Sequence, residues 1–167
     1  SHLGIRKPMS VCNEHTSEAA IAKYISEIDN GKSAALMTDG GSPVVSDPGT
    51  LVVQACVALG IEIEAIPGPS APILALRLSG FFGQRFAFLG FLPRKPGPMK
   101  KEFLPFQDSP LTLIAFESQH RIENLLSIAF EALGPRNYAI CRELTKVHQQ
   151  VFREKLPIIP TEKQVPR

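Results

Sequence analysis

The run Thr38-Asp39-Gly40-Gly41-Ser42-Pro43-Val44-Val45-Ser46-Asp47-Pro48-Gly49 gathers a glycine pair, two carboxylates and three hydroxyls into one short stretch. Glycine has no Cβ, so its backbone can approach a ligand closely. Asp39 can accept hydrogen bonds from a ribose hydroxyl or an ammonium group, and the N–H groups of Gly40 and Gly41 can hold a carboxylate or a base edge. The same residues support a plainer reading with equal claim, in which Asp47 or Ser46 caps the next helix and Gly40-Gly41 makes a turn. The spacing does not follow GxGxxG, so an ordinary Rossmann dinucleotide site is not indicated. A second run, Pro67-Gly68-Pro69-Ser70-Ala71, is either a rigid turn with Ser70 as N-cap or a second ligand loop.

Elements of alternating type must carry these runs. From Thr16 to Gly31, Ile21, Tyr24, Ile25 and Ile28 fall at helical spacing, with Thr16 or Ser17 as N-cap and Gly31 just past the end. A short apolar run at 33–37 predicts a buried strand opening into the Asp39 loop. A helix beginning at 48–50 and stopping at Gly60 follows, then a strand at 61–66 emptying into Pro67, then a helix through Ile73, Leu74, Leu76 and Leu78. Parallel strands would place both loops on one sheet edge, where open α/β sheets bind ligands. In the second half, strands are predicted at 86–91, 111–116 and 138–141, an ordered loop at 93–98, and a helix from Arg121 closed by Gly134-Pro135. Prolines keep the tail from 156 to 167 out of helix and central strand. The reading is α/β, with two small domains, 1–83 and 84–167, joined near Phe82-Gly83-Gln84.

Composition narrows the class. With 44% hydrophobic and 20% charged residues, the 167-residue chain suits an ordinary globular core. Charges interrupt its apolar runs well short of the roughly 20 residues that cross a bilayer, so no membrane span is expected. Ser1-His2-Leu3-Gly4-Ile5-Arg6-Lys7 reads as neither signal peptide nor natural start, so residues before Ser1 are expected. Three widely spaced cysteines, Cys12, Cys56 and Cys141, form no zinc or disulfide framework and suit a reducing cytoplasm. The charge is uneven: 1–83 carry five Lys/Arg against eight Asp/Glu, net −3, and 84–167 carry thirteen against eight, net +5. A basic second half suits a polyanionic partner, although a solvated surface accounts for it equally simply.

Five runs in order, residues 39–49, Pro67-Gly68-Pro69-Ser70-Ala71, Gly90-Phe91-Leu92-Pro93-Arg94-Lys95, Glu117-Ser118-Gln119-His120-Arg121 and Arg142-Glu143-Leu144-Thr145-Lys146, resemble successive motifs of the ribosomal RNA small subunit methyltransferase I family, within the tetrapyrrole-methylase superfamily. The resemblance runs from Leu3-Gly4-Ile5 to about Val151. It implies two small α/β domains with a cleft for S-adenosylmethionine between them, a homodimer, and 2′-O-methylation of a cytidine in 16S RNA of the small ribosomal subunit. It places the cofactor against Asp39, Gly40, Gly41, Ser42, Pro69, Ser70, Ala71 and Phe91, and near Glu117. Members also carry an opening strand with a glycine-containing Pro-x-Pro loop before the point matching Ser1, and a closing strand after a Gly-Glu pair beyond Arg167. A chain without these is expected to be inactive.

Methyl transfer to a ribose hydroxyl demands in-line placement of the acceptor, and a base to take its proton. Glu117, His120, Glu143 and His148 are the candidates on the resembling motifs, with no metal called for. For Glu117 the alternative is an i,i+4 ion pair with Arg121, and for the histidines a surface or phosphate contact. Arg94, Lys95, Lys100, Lys101, Arg142, Lys146 and Arg153 could rim the cleft and meet phosphates. The competing functions are methylation of a porphyrin or corrin precursor, which calls for a wide apolar trough, and non-catalytic binding to the ribosome.

Overall fold

A computed structural model describes residues 4, 6–161 and 164–165, which form two compact units, Ser1–Pro69 and Ser70–Arg167. The expectations that fall on Ser1, His2, Leu3, Ile5, Pro166 and Arg167 lie outside the described residues. Helix α3 and the 80–83 connection, grouped with the first domain in the sequence reading, lie in the second unit.

The first unit is built on two helices. Helix α1 (Glu18–Asp29) starts where Ser17 accepts the Ala20 N–H at 3.3 Å, and ends where the Asn30 amide donates to Ser26 O at 2.7 Å. It buries Ile21 and Ile25 against Cys56 of α2 (Thr50–Ala58), with Ile28, Val52 and Ile61 around them. Neither strand predicted in this half forms among the described residues: 33–37 and 61–66 are irregular, with Met37 77% and Ile66 92% exposed. The physical reason is the lack of a ladder. A strand is held by hydrogen bonds to a neighbour, and the described strands pair only with one another in the second unit. Apolar content marked these segments as able to pair without supplying the partner.

The second unit has the mixed α/β fold expected of the chain. Helix α3 (Ala71–Ser79) opens with Pro72, whose missing N–H costs nothing in a first turn, and closes on left-handed Gly80, φ +81°. Arg153 donates from Nε to Ser79 O at 2.8 Å and from Nη2 to Leu78 O, tying off that end. Strand β1 (Phe86–Phe91) runs parallel to β2 (Thr112–Phe116), with Phe86 opposite Thr112 and an irregularity between Phe88 and Phe91 at positive-φ Gly90. Phe88 and Phe91 both pack on the Phe116 ring, with centroids 5.0 and 5.3 Å away.

The connection from β1 to β2 contains α4 (Pro96–Phe103), and its first turn replaces part of the loop predicted at 93–98. Prolines disfavour a helix interior, but Pro96 and Pro98 fall among the first residues, whose N–H groups have no intrahelical partner. Fully buried Met99 and Phe103 then pack with Leu92, Leu126 and Ala129, the last two from α5 (Ile122–Leu133). Strand β3 (Asn137–Arg142) pairs antiparallel with β4 (Gln150–Lys155), Asn137 opposite Lys155. Its Cys141 Sγ sits 3.8 Å from Ala75 O of α3. Arg136 donates from Nη2 to the carbonyls of Phe106, Gln107 and Ser109 at 3.0, 3.0 and 3.1 Å, fixing the turn before β2.

Candidate functional site

In the first unit the two glycine-rich runs meet. Ser42 Oγ donates to Pro69 O at 3.1 Å, joining residues 27 positions apart. Thr38 Oγ1 lies 3.5 and 3.3 Å from the carbonyls of Gly40 and Gly41. Because a trans peptide directs its C=O and N–H oppositely, the Gly41 and Ser42 N–H groups point away from Thr38. Among the described residues, neither donates to the backbone. A Cβ built at Gly40 meets nothing within 4 Å, and Asp39 beside it is exposed. Two free donors beside an acceptor carboxylate fit a ligand that carries a carboxylate and hydroxyl or ammonium groups.

The capping alternative is not realised. The N-cap of α2 is Gly49, at φ +125° and without a side-chain hydrogen bond, and Asp47 Oδ2 lies 3.8 Å from where a Gly41 Cβ would stand. The φ of Gly49, which L side chains rarely adopt, is what requires glycine there, and a Cβ would also push the tip of Leu36 aside. Val44 and Ser46 hold φ of +74° and +57°, conformations that non-glycine residues adopt only when their surroundings impose them. Pro69 closes this unit, and Ser70 caps α3 without a side-chain bond, next to Ala71 at its first position.

In the second unit Glu117 and Glu143 share the wall of a cavity of about 350 Å³, with Arg142 and Gln119 beside them. Both also line a larger, mainly apolar cavity of about 1290 Å³, as does Phe91. His120 lines neither; it is exposed on a 3₁₀ turn, with its Nε2 3.4 Å from the Gln119 amide. Glu143 remains 40% exposed, in a left-handed conformation at φ +48°, and pairs with Lys146 at 3.3 Å. The Glu117 side chain is only 4% exposed and realises the i,i+4 pair, Oε2 to Arg121 Nη2 at 3.1 Å. That pair is close without being aligned, so Oε2 has ionic contact but no hydrogen bond.

The basic residues divide into free and engaged. Arg94, Lys95 and Lys101 are exposed, whereas Lys100 pairs with Glu131 at 3.0 Å and Arg153 is spent on the α3 carbonyls. The bonds from Arg121 to Pro93 O and from Arg136 to its three carbonyls join positions about thirty residues apart and have no signal in a single sequence. Among the described residues no group of three His, Cys, Asp or Glu side chains could hold a metal, and no helix is long and apolar enough to cross a membrane.

A family model described as Tetrapyrrole (Corrin/Porphyrin) Methylases matches residues 4–159. The chain belongs to that family. Its methylase relatives include proteins named ribosomal RNA small subunit methyltransferase I. That of Xylella fastidiosa is 37% identical over 163 residues, covering 97% of this chain and 60% of the relative. The Thermotoga maritima protein is 39% identical over 153 residues, 91% of this chain and 68% of its own length. The Mesorhizobium japonicum protein is 42% identical over 149 residues, 89% and 51%. The chain thus spans between about half and two thirds of these methylases.

Proposed function

We propose that the protein is an S-adenosylmethionine-dependent methyltransferase that modifies the 2′-hydroxyl of a cytidine in small-subunit ribosomal RNA. The observation that carries this reading is the identity of 37–42% with relatives of that name over about nine tenths of the chain or more. Bound S-adenosylmethionine supplies an electrophilic methyl on a sulfonium sulfur. The joined loops are suited to hold it: Asp39 accepts from ribose hydroxyls or the ammonium group, the Gly41 and Ser42 amides donate to the carboxylate, and Gly40 leaves room for close approach. The family resemblance adds Pro69, Ser70, Ala71 and Phe91 to the residues that would meet the cofactor. Among Glu117, His120 and Glu143, we assign proton acceptance to Glu143, whose carboxylate is accessible at a cavity wall. Glu143 would take the proton of the 2′-hydroxyl as that oxygen receives the methyl group the cofactor would supply.

A ribosomal substrate implies work in the cytoplasm, and a homodimer is proposed from the family resemblance. The second reading, methylation of a porphyrin or corrin precursor, is favoured by one observation, the apolar cavity of about 1290 Å³. Incubation of a form extended to the length of these relatives with labelled S-adenosylmethionine and unmodified small ribosomal subunits separates the two. Label on one cytidine ribose is expected, and no label on RNA from protein that binds the cofactor would turn the assignment to tetrapyrrole acceptors.

A further inference from the structure

The buried carboxylate of Glu117 has a task outside proton transfer. Its Oε1 accepts the Ser118 N–H at 2.7 Å, while Oε2 faces the Arg121 guanidinium. The same Arg121 Nη2 donates to Pro93 O at 2.9 Å. A buried carboxylate is costly without a counter-charge, so Glu117 holds the guanidinium in place, and its planar fork in turn fixes the direction of the bond to Pro93. Pro93 lies where β1 has ended at Phe91 and α4 has not begun. Its carbonyl is therefore outside any ladder, and Arg121 takes the place of a strand partner. Buried Leu92 anchors the other side of the turn. From this fixed base Phe91, 69% exposed, and exposed Arg94 and Lys95 project outward.

We infer that Glu117 and Arg121 form a latch that positions the turn 91–95 for RNA, with Arg94 and Lys95 meeting its phosphates. The inference rests on the RNA reading above, and it makes Glu117 a positioning residue. It is tested with Arg121→Met, Glu117→Gln, the two combined, Arg121→Lys, and the surface pair Arg94→Ala with Lys95→Ala. Each is assayed, in a form extended to the length of the relatives, for kcat and for KM toward small-subunit RNA, and for amide exchange at Leu92, Arg94 and Lys95.

Arg121→Met and Glu117→Gln should each raise KM at least fivefold, leave kcat at saturating RNA within twofold, and speed exchange in the turn. Their combination should be no worse than either alone, and Arg121→Lys should restore part of the loss. The surface pair, which disturbs no packing, should match the KM rise and lower the slope of log K against log salt by about 1 to 2. A hundredfold loss of kcat in Glu117→Gln at unchanged KM would make it the base and sink the latch. So would multiplying effects in the combined variant, or an unchanged KM in the surface pair. If the unsubstituted protein binds no RNA, the functional reading fails and takes the role of the turn with it. Exchange at Arg94 and Lys95 in Arg121→Met then decides the latch itself: faster exchange keeps it, and unchanged exchange removes it.

Discussion

Single residues of this protein are held by identifiable contacts, and the contacts set what substitution should do. Gly49 holds φ +125°, so Gly49→Ala meets backbone strain, while the tip of the Leu36 side chain can move aside for the new Cβ. A loss of about 1–3 kcal/mol is expected from the strain, seen as a lower urea midpoint for the first unit. Tyr138 donates its hydroxyl to Ile158 O at 2.8 Å. Burial, and after it the Glu154 carboxylate, push its phenol up from 10.0 to about 12. The folded protein therefore binds this proton more tightly than the unfolded chain. The stability it contributes is complete below about pH 10 and is lost as pH rises toward 12. Tyr138→Phe should cost about 1 kcal/mol at pH 8 and flatten the alkaline fall of the urea midpoint; an equally steep fall in the variant would assign it to other groups. Asp39→Ala should weaken binding of S-adenosylmethionine at least tenfold in calorimetry without moving the thermal midpoint, because the side chain is exposed.

At the scale of elements, α3 depends on a side chain from a distant strand. Arg153→Met removes both donors from the Leu78 and Ser79 carbonyls at its C-terminal end. It should cost about 1–3 kcal/mol and speed amide exchange in the last turn of α3 while leaving α5 unchanged. Elements whose signals are local were legible in the sequence. Ser17 caps α1 as its hydroxyl and position suggested, and the predicted strand 86–91 is β1 to the residue. Strand β4 escaped notice because Gln150, Arg153, Glu154 and Lys155 dilute its apolar alternation, and its identity comes from pairing with β3. Helix α4 was hidden by prolines that are unfavourable in helix interiors and harmless in first turns. The segments 33–37 and 61–66 erred in the other direction: apolar composition is necessary for a buried strand, and pairing is what makes one.

For the whole molecule, the two loop runs were expected to share the edge of a parallel sheet; neither strand forms among the described residues, and what joins the runs is the Ser42 to Pro69 bond. In the second unit the candidate residues were legible only as residue types. Glu117 looked equally suited to acid–base work and to an ion pair, and the choice turned on burial and on a carbonyl 28 positions from Arg121. The proposed domain division near Gly83 predicts that brief digestion with a nonspecific protease cuts among the exposed residues 82–85. Cutting confined to 64–70 would move the boundary to the edge of the first compact unit. Finally, the contact between Cys141 and Ala75 O makes this thiol a natural stopwatch. Burial pushes its ionisation up, against the opposing pull of Arg153, and thiolate is the reactive form. Cys141 is only part-buried, so its alkylation, set against that of a short cysteine peptide, should be slowed rather than stopped, and a rise in that ratio would time the loosening of α3 from β3.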